Sequence, residues 1–189
     1  FIPVILQLAM GFMLVLMVGY ISLVKFYPQQ LGSQKLENLG EYNPINDVTG
    51  WVYLSEEFKK IALKDEAEGK MSKNAPLVVH KWFPAGHLLF YTAPVCNKRV
   101  VAIGALEDVH KFAWLNQSNE GLVLGEDAYC IVPSSLPANP INLYGAYFTS
   151  IEKPDTIAYR TKGVLLRNFY VYRLKNCKLL PSPILEIKK

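Results

Sequence analysis

Phe1 to Val24 contains no charged residue, and 19 of its 24 residues are apolar. As a helix this stretch rises about 36 Å, enough to cross a hydrocarbon layer of ~30 Å with some tilt. Tyr20, Lys25, Phe26 and Tyr27 sit at one end, where interfacial anchors belong, and Pro28 stops the helix. All 20 basic and 16 acidic residues lie beyond this run, and no second uncharged stretch approaches the ~20 residues of a span. The sequence therefore calls for one membrane helix and one soluble domain, not a polytopic bundle within this chain. At 51% apolar and 19% charged, the chain is also excluded from the disordered class.

A secretory signal would have a basic start and an apolar core of only ~7–15 residues. A pilin would begin with Phe but carry glutamate at its fifth position, where this chain has Ile5. A bare Phe opening into membrane sequence leads us to expect a larger protein divided before its last transmembrane helix.

The formal net charge of +4 comes from acidic and basic residues that alternate, as in Glu56-Glu57-Phe58-Lys59-Lys60. No basic face is concentrated enough for a nucleic-acid partner, so none is expected. Cys96, Cys130 and Cys177 show no C-x-x-C spacing and read as small buried side chains, with any disulfide unassigned.

Four regions follow: a transmembrane helix at 1–26, a linker at 27–46, an α/β domain at 47–178 and a flexible tail at 179–189. Trp51, Leu54, Phe58, Ile61 and Ala62 make one helical stripe, with Asn46, Asp47 and Thr49 as candidate caps. Residues 75–82, 99–104 and 125–133 read as strands. Helices are expected from Pro84 through Tyr91 and over 106–116, with Trp51 and Trp114 facing the core. Beyond these, 148–151, 156–160 and 165–174 read as short strands, the last two joined by a turn at Thr161–Val164. Arg167, Phe169, Val171 and Arg173 alternate with Asn168, Tyr170, Tyr172 and Leu174, so both faces of that strand should be at least partly covered. The fold class is an α/β sandwich with a parallel sheet core and antiparallel C-terminal strands.

No P-loop, G-x-G-x-x-G, H-E-x-x-H or G-x-S-x-G motif is present, and no cofactor or metal is expected. His80 and His87 are seven apart, which is not a metal-ligand spacing. Ligands of open α/β sheets gather beyond the carboxyl ends of the strands. There the sequence places His80, Trp82, Gly86 and His87, our candidate contacts for a substrate or lipid head group. The competing reading makes both histidines hydrogen-bonded structural residues.

The order of elements carries a resemblance. A membrane helix and linker precede Asn46-Asp-Val-Thr-Gly-Trp51. Then come Trp82-Phe-Pro-Ala-Gly-His-Leu-Leu-Phe-Tyr91, Trp114-Leu-Asn116 and Gly125-Glu-Asp-Ala-Tyr-Cys-Ile-Val132. Residues 1–175 thereby resemble the C-terminal region of integral-membrane glycosyltransferases of the protein mannosyltransferase and aminoarabinose transferase superfamily. The Asp-x-x-Gly-Trp element of that family is matched at Asp47, Gly50 and Trp51, and its Phe-Tyr helix end at Phe90 and Tyr91. The resemblance implies transfer of a sugar from a polyprenyl-phosphate donor to a protein, lipid or glycan acceptor. It implies an inner-membrane location, with the soluble domain in the periplasm covering the membrane active site. The family's catalytic acid belongs to an early extracytoplasmic loop with no counterpart here, so no catalytic residue is assigned and the chain alone is expected to be inactive. A free-standing, single-pass binding protein is the alternative.

Overall fold

The computed structural model describes residues 2–26, 32–118 and 121–185. Helix α1 (Ile2–Phe26) is long and apolar enough to cross a membrane, and none of its first 19 residues is buried. The rest is an α/β fold. In chain order it contains α2 (Trp51–Ala67), β1 (Leu77–Val79), α3 (Trp82–His87), α4 (Ala93–Cys96) and β2 (Val100–Ala102). Then follow α5 (Leu106–Val109), α6 (Phe112–Ser118), β3 (Ala128–Pro133), α7 (Pro140–Tyr144), β4 (Phe148–Ile151), β5 (Asp155–Thr161) and β6 (Val164–Cys177).

The sheet runs β2-β1-β3-β6-β4, with β5 also on β6. Its β2, β1 and β3 strands are parallel, and β6 pairs antiparallel with β3 on one side and with β4 and β5 on the other. The three parallel strands are buried on both faces, which explains why they read as unbroken apolar runs. Along β6 the side chains alternate. Phe169 and Val171 join Trp51, Leu54 and Phe58 of α2, while Tyr170, Tyr172 and Leu174 pack on the other face with Tyr144 and Phe148.

Strand β6 grips α2 near both ends with arginines. Arg173 makes a bidentate pair with Asp65, Nε to Oδ2 at 2.7 Å and Nη2 to Oδ1 at 2.8 Å, and reaches Asp155 at 2.5 Å. Tyr129 donates its hydroxyl to the same Asp65 at 3.0 Å. At the opposite end Arg167 donates from Nη2 to the Thr49 carbonyl and lies over the Trp51 and Phe169 rings, 4.6 and 4.4 Å from their centroids.

Several expectations are corrected. The described part of the linker, from Gly32, is built into the fold. Leu39, Asn43, Ile45 and Asn46 are buried, and Ser134 donates to the Leu39 carbonyl at 2.7 Å. Its polarity serves local bonds, such as Asn46 Nδ2 to Gly40 O at 2.9 Å, rather than solvation. Gly40 has φ +80°, and an added Cβ would meet Asn46 Nδ2 at 2.2 Å, so only glycine fits. Helix α2 takes Gly50 as its cap instead of a side chain. The helix expected over 106–116 is broken at His110, whose φ is +49°, and the break turns Trp114 outward to 54% exposure. Tail residues Ile184 and Leu185 pack against the helix-side core, and residues 186–189 lie outside the described ones. The Asn116 amide pairs with both backbone groups of Ala102, at 2.9 and 2.6 Å, occupying the outer edge of β2.

Between α3 and α4 the helix widens to a π-turn over Leu88–Thr92. Pro94 has no N–H to offer the carbonyl four residues back, and Ala93 donates instead to Leu88, five residues back.

Candidate functional site

Chain direction reverses around β1. The connection from β1 leads outward to β2, and the next one returns past β1 to β3. The carboxyl ends of β1 and β3 therefore flank a topological switch point, where open α/β sheets bind ligands. A cavity of about 520 Å³ occupies this position, within the ~300–1,000 Å³ typical of small-ligand sites. One wall is the end of β1 with His80, Lys81 and Phe83. A second is the end of β3 with Cys130 and Ser135. The third combines Glu41, Tyr42 and Asn43 of the segment expected to be a linker with Asp47, the first residue of the expected α/β domain.

The four sequence-derived candidates separate. His80 is half-buried in the cavity wall. Trp82 does not line the cavity but lies between the lining residues Lys81 and Phe83, 49% exposed, with its ring edge-on to Phe83 at 5.8 Å and 5.7 Å from His110. Gly86 faces open space, where an added Cβ meets nothing within 4 Å, so no close backbone approach requires glycine there. His87 stacks on Trp51, ring centroids 4.3 Å apart and 8° from parallel, and packs against Phe83 at 5.1 Å. His87 thus belongs to a column of stacked groups, Arg167–Trp51–His87, that carries the third wall. Gly50 lets this column close: at φ +79° its Cα comes so near the Tyr159 ring that a Cβ would lie 2.8 Å from Cδ1. Trp51 Nε1 donates to the Asp47 carbonyl at 3.0 Å and so fixes Asp47 at the cavity.

Sequence reasoning missed Glu41, Tyr42, Asn43, Asp47 and Ser135. The switch-point rule needs the strand order, which pattern alone does not supply. Only the Asn43-Pro44 turn signal hinted at a fixed loop.

Lys81 and His80 on one side face Glu41 and Asp47 on the other, so the formal charges nearly balance. The Tyr42 and Phe83 rings offer flat apolar surfaces, and the buried Asn43 side chain accepts the Ile45 N–H at 3.0 Å. Ser135 Oγ is buried with no hydrogen-bond partner among the described residues. Such an orphan in a cavity wall is a group waiting for a ligand or a water. Cys130 is no nucleophile, because burial pushes its thiol up to about 12. Among the described residues no three metal-ligating side chains converge. The arrangement suits a neutral, hydroxyl-rich ligand better than a multiply charged one.

Both histidines are held below the ordinary imidazole value. Burial is the main cause for each, helped by Lys81 at His80 and by Arg167 at His87. A depressed histidine binds its proton in the unfolded chain first. Stability is therefore full above the unfolded value of about 6.5 and falls as pH drops from there towards the folded values. Melting temperatures from about pH 7.5 to 5.5 should fall accordingly. His87→Gln should flatten that slope, and an unchanged slope would show that His87 does not supply it.

No protein-family model matches the chain, and no curated protein or solved structure is significantly similar to it.

Proposed function

We propose that this chain is the C-terminal extracytoplasmic region, with its last membrane helix, of a glycosyltransferase that uses a polyprenyl-phosphate-linked sugar. Its cavity would hold the sugar-bearing end of that substrate. One observation carries the reading. The Asp47-x-x-Gly50-Trp51 element, on which the resemblance rests, contributes Asp47 to the wall of a switch-point cavity with sugar-compatible chemistry. The element holds that wall in place: Trp51 is core, Gly50 permits the turn, and Asp47 faces the ligand space. The family's catalytic acid lies outside the matched region, so the role of this chain is to bind and position, and the transfer step belongs elsewhere.

The second reading, a free-standing membrane-anchored glycan binder, is favoured by the same cavity. The transferase reading requires the domain on the periplasmic side, and reporters fused after Lys189 in the complete reading frame test this. Signal is expected only from a reporter that works after export. Signal only from one that works in the cytoplasm would overturn the proposal.

A further inference from the structure

Connectivity limits where the cavity mouth can point. Helix α1 ends at Phe26, and the described chain resumes at Gly32. Six fully extended residues span at most about 20 Å. Beyond Gly32 the path is fixed. The Ser33 N–H donates to the Glu41 carbonyl at 2.9 Å, and the Gly40 N–H donates to the Ser33 carbonyl at 2.8 Å. The chain that leaves the tether is thus bonded directly to two residues of the cavity wall. A globular unit of about 150 residues measures roughly 40 Å across. The tether cannot reach around it, so the Gly40–Glu41 wall lies in the half of the domain nearest the end of α1.

The exposed groups of that wall and its neighbours have a common character. Tyr42 is 87% exposed, and Trp82 and Leu136 are also in solvent. Tyr42, Leu136 and the exposed Lys81 line the cavity itself, and Trp82 follows Lys81 directly. Aromatic rings with a polar edge, set beside lysine, are the side chains that a membrane–water interface selects. A partner tethered within ~20 Å is also present at a high effective concentration, as a soluble partner is not.

We propose that the cavity mouth rests on the headgroup layer of the membrane that α1 crosses, with Tyr42 and Trp82 seated among the headgroups and Lys81 among the lipid phosphates. This rests on α1 being a membrane span. A lipid-linked ligand then enters the cavity from the bilayer surface rather than from bulk solution.

The three tryptophans, Trp51, Trp82 and Trp114, all lie outside α1, so the fluorescence of the full chain reports on the domain. The chain is reconstituted into phosphatidylcholine–phosphatidylglycerol vesicles whose acyl chains carry bromine near the headgroup end. Bromine quenches only indoles seated close to the interface. The expected result is quenching of the wild-type emission, most of which is lost in Trp82→Phe and kept in Trp114→Phe. Both positions are exposed, so both variants should fold. Alkaline washing of the same vesicles separates the two failures. A chain that resists washing while Trp82→Phe is quenched like wild type retains its membrane span and overturns the docking face. A chain released by washing overturns the span, and the docking face with it.

Discussion

Asp65→Ala should lower the stability of the chain by about 3–5 kcal/mol, the usual result of removing one partner from a buried ion pair. Asp65 is 1% exposed, and it accepts two hydrogen bonds from Arg173 and one from Tyr129. Its loss leaves a largely buried guanidinium with only Asp155, and a buried phenol with no acceptor. The same ion pair raises the Arg173 pKa, and burial beside Asp65 raises that of Tyr129. For a domain of this size, the loss corresponds to a fall in Tm on the order of 10 °C in one fixed detergent. The double variant Asp65→Leu/Arg173→Met should recover most of it, because apolar replacement of a buried pair is often neutral. A loss below about 1 kcal/mol in the single variant would mean that water reaches the pair and that β6 does not hold α2 through it.

Trp51→Ala should cost a similar amount, about 3–5 kcal/mol. The indole is 2% exposed and touches His87, Phe169 and Arg167 at once. Its removal opens a void in the column that carries Asp47. Arg167→Met offers the contrast. Arg167 is buried, its Nε has no hydrogen-bond partner, and burial pushes its pKa down to about 9. Replacing such a cation with an apolar chain of similar volume should change stability by less than about 1.5 kcal/mol in either direction. Equilibrium denaturation of both variants checks the pair of expectations. Equal losses would show that the guanidinium holds the column as strongly as the indole does.

The elements legible in the sequence are those fixed by local pattern. The Trp51–Ala62 stripe, the apolar runs of β1, β2 and β3, and the alternation along β6 each follow from which faces must be covered. The inward arginines of β6 were legible as positions but not as contacts, because Asp65 lies 108 residues from Arg173 and Thr49 lies 118 from Arg167. The break at His110 carries no glycine or proline signal, so a continuous helix was expected and Trp114 was placed inward. The segment from Gly32 to Asn46 departs from expectation for a different reason. Asn, Ser and Gly look alike in sequence whether they solvate a linker or bond its own backbone. Glu41, Tyr42 and Asn43 of the cavity wall go unnoticed on that account, and Asp47 because it reads as a helix cap. Of the four expected contacts, His80 lines the cavity, while Trp82 is exposed between two lining residues and does not line it. His87 stacks on Trp51 outside the cavity lining, and Gly86 is surface.

The central claim is that the switch-point cavity receives the sugar end of a lipid-linked substrate. It is tested most directly by a polyprenyl-phosphate sugar that carries a photoreactive group on the sugar and is irradiated with the detergent-solubilised full chain. Crosslinks are expected on peptides spanning 41–47, 80–84 or 133–137, the three walls of the cavity, and excess unlabelled donor should abolish them. Labelling confined to α1, or labelling of the domain that excess donor does not displace, would contradict the account.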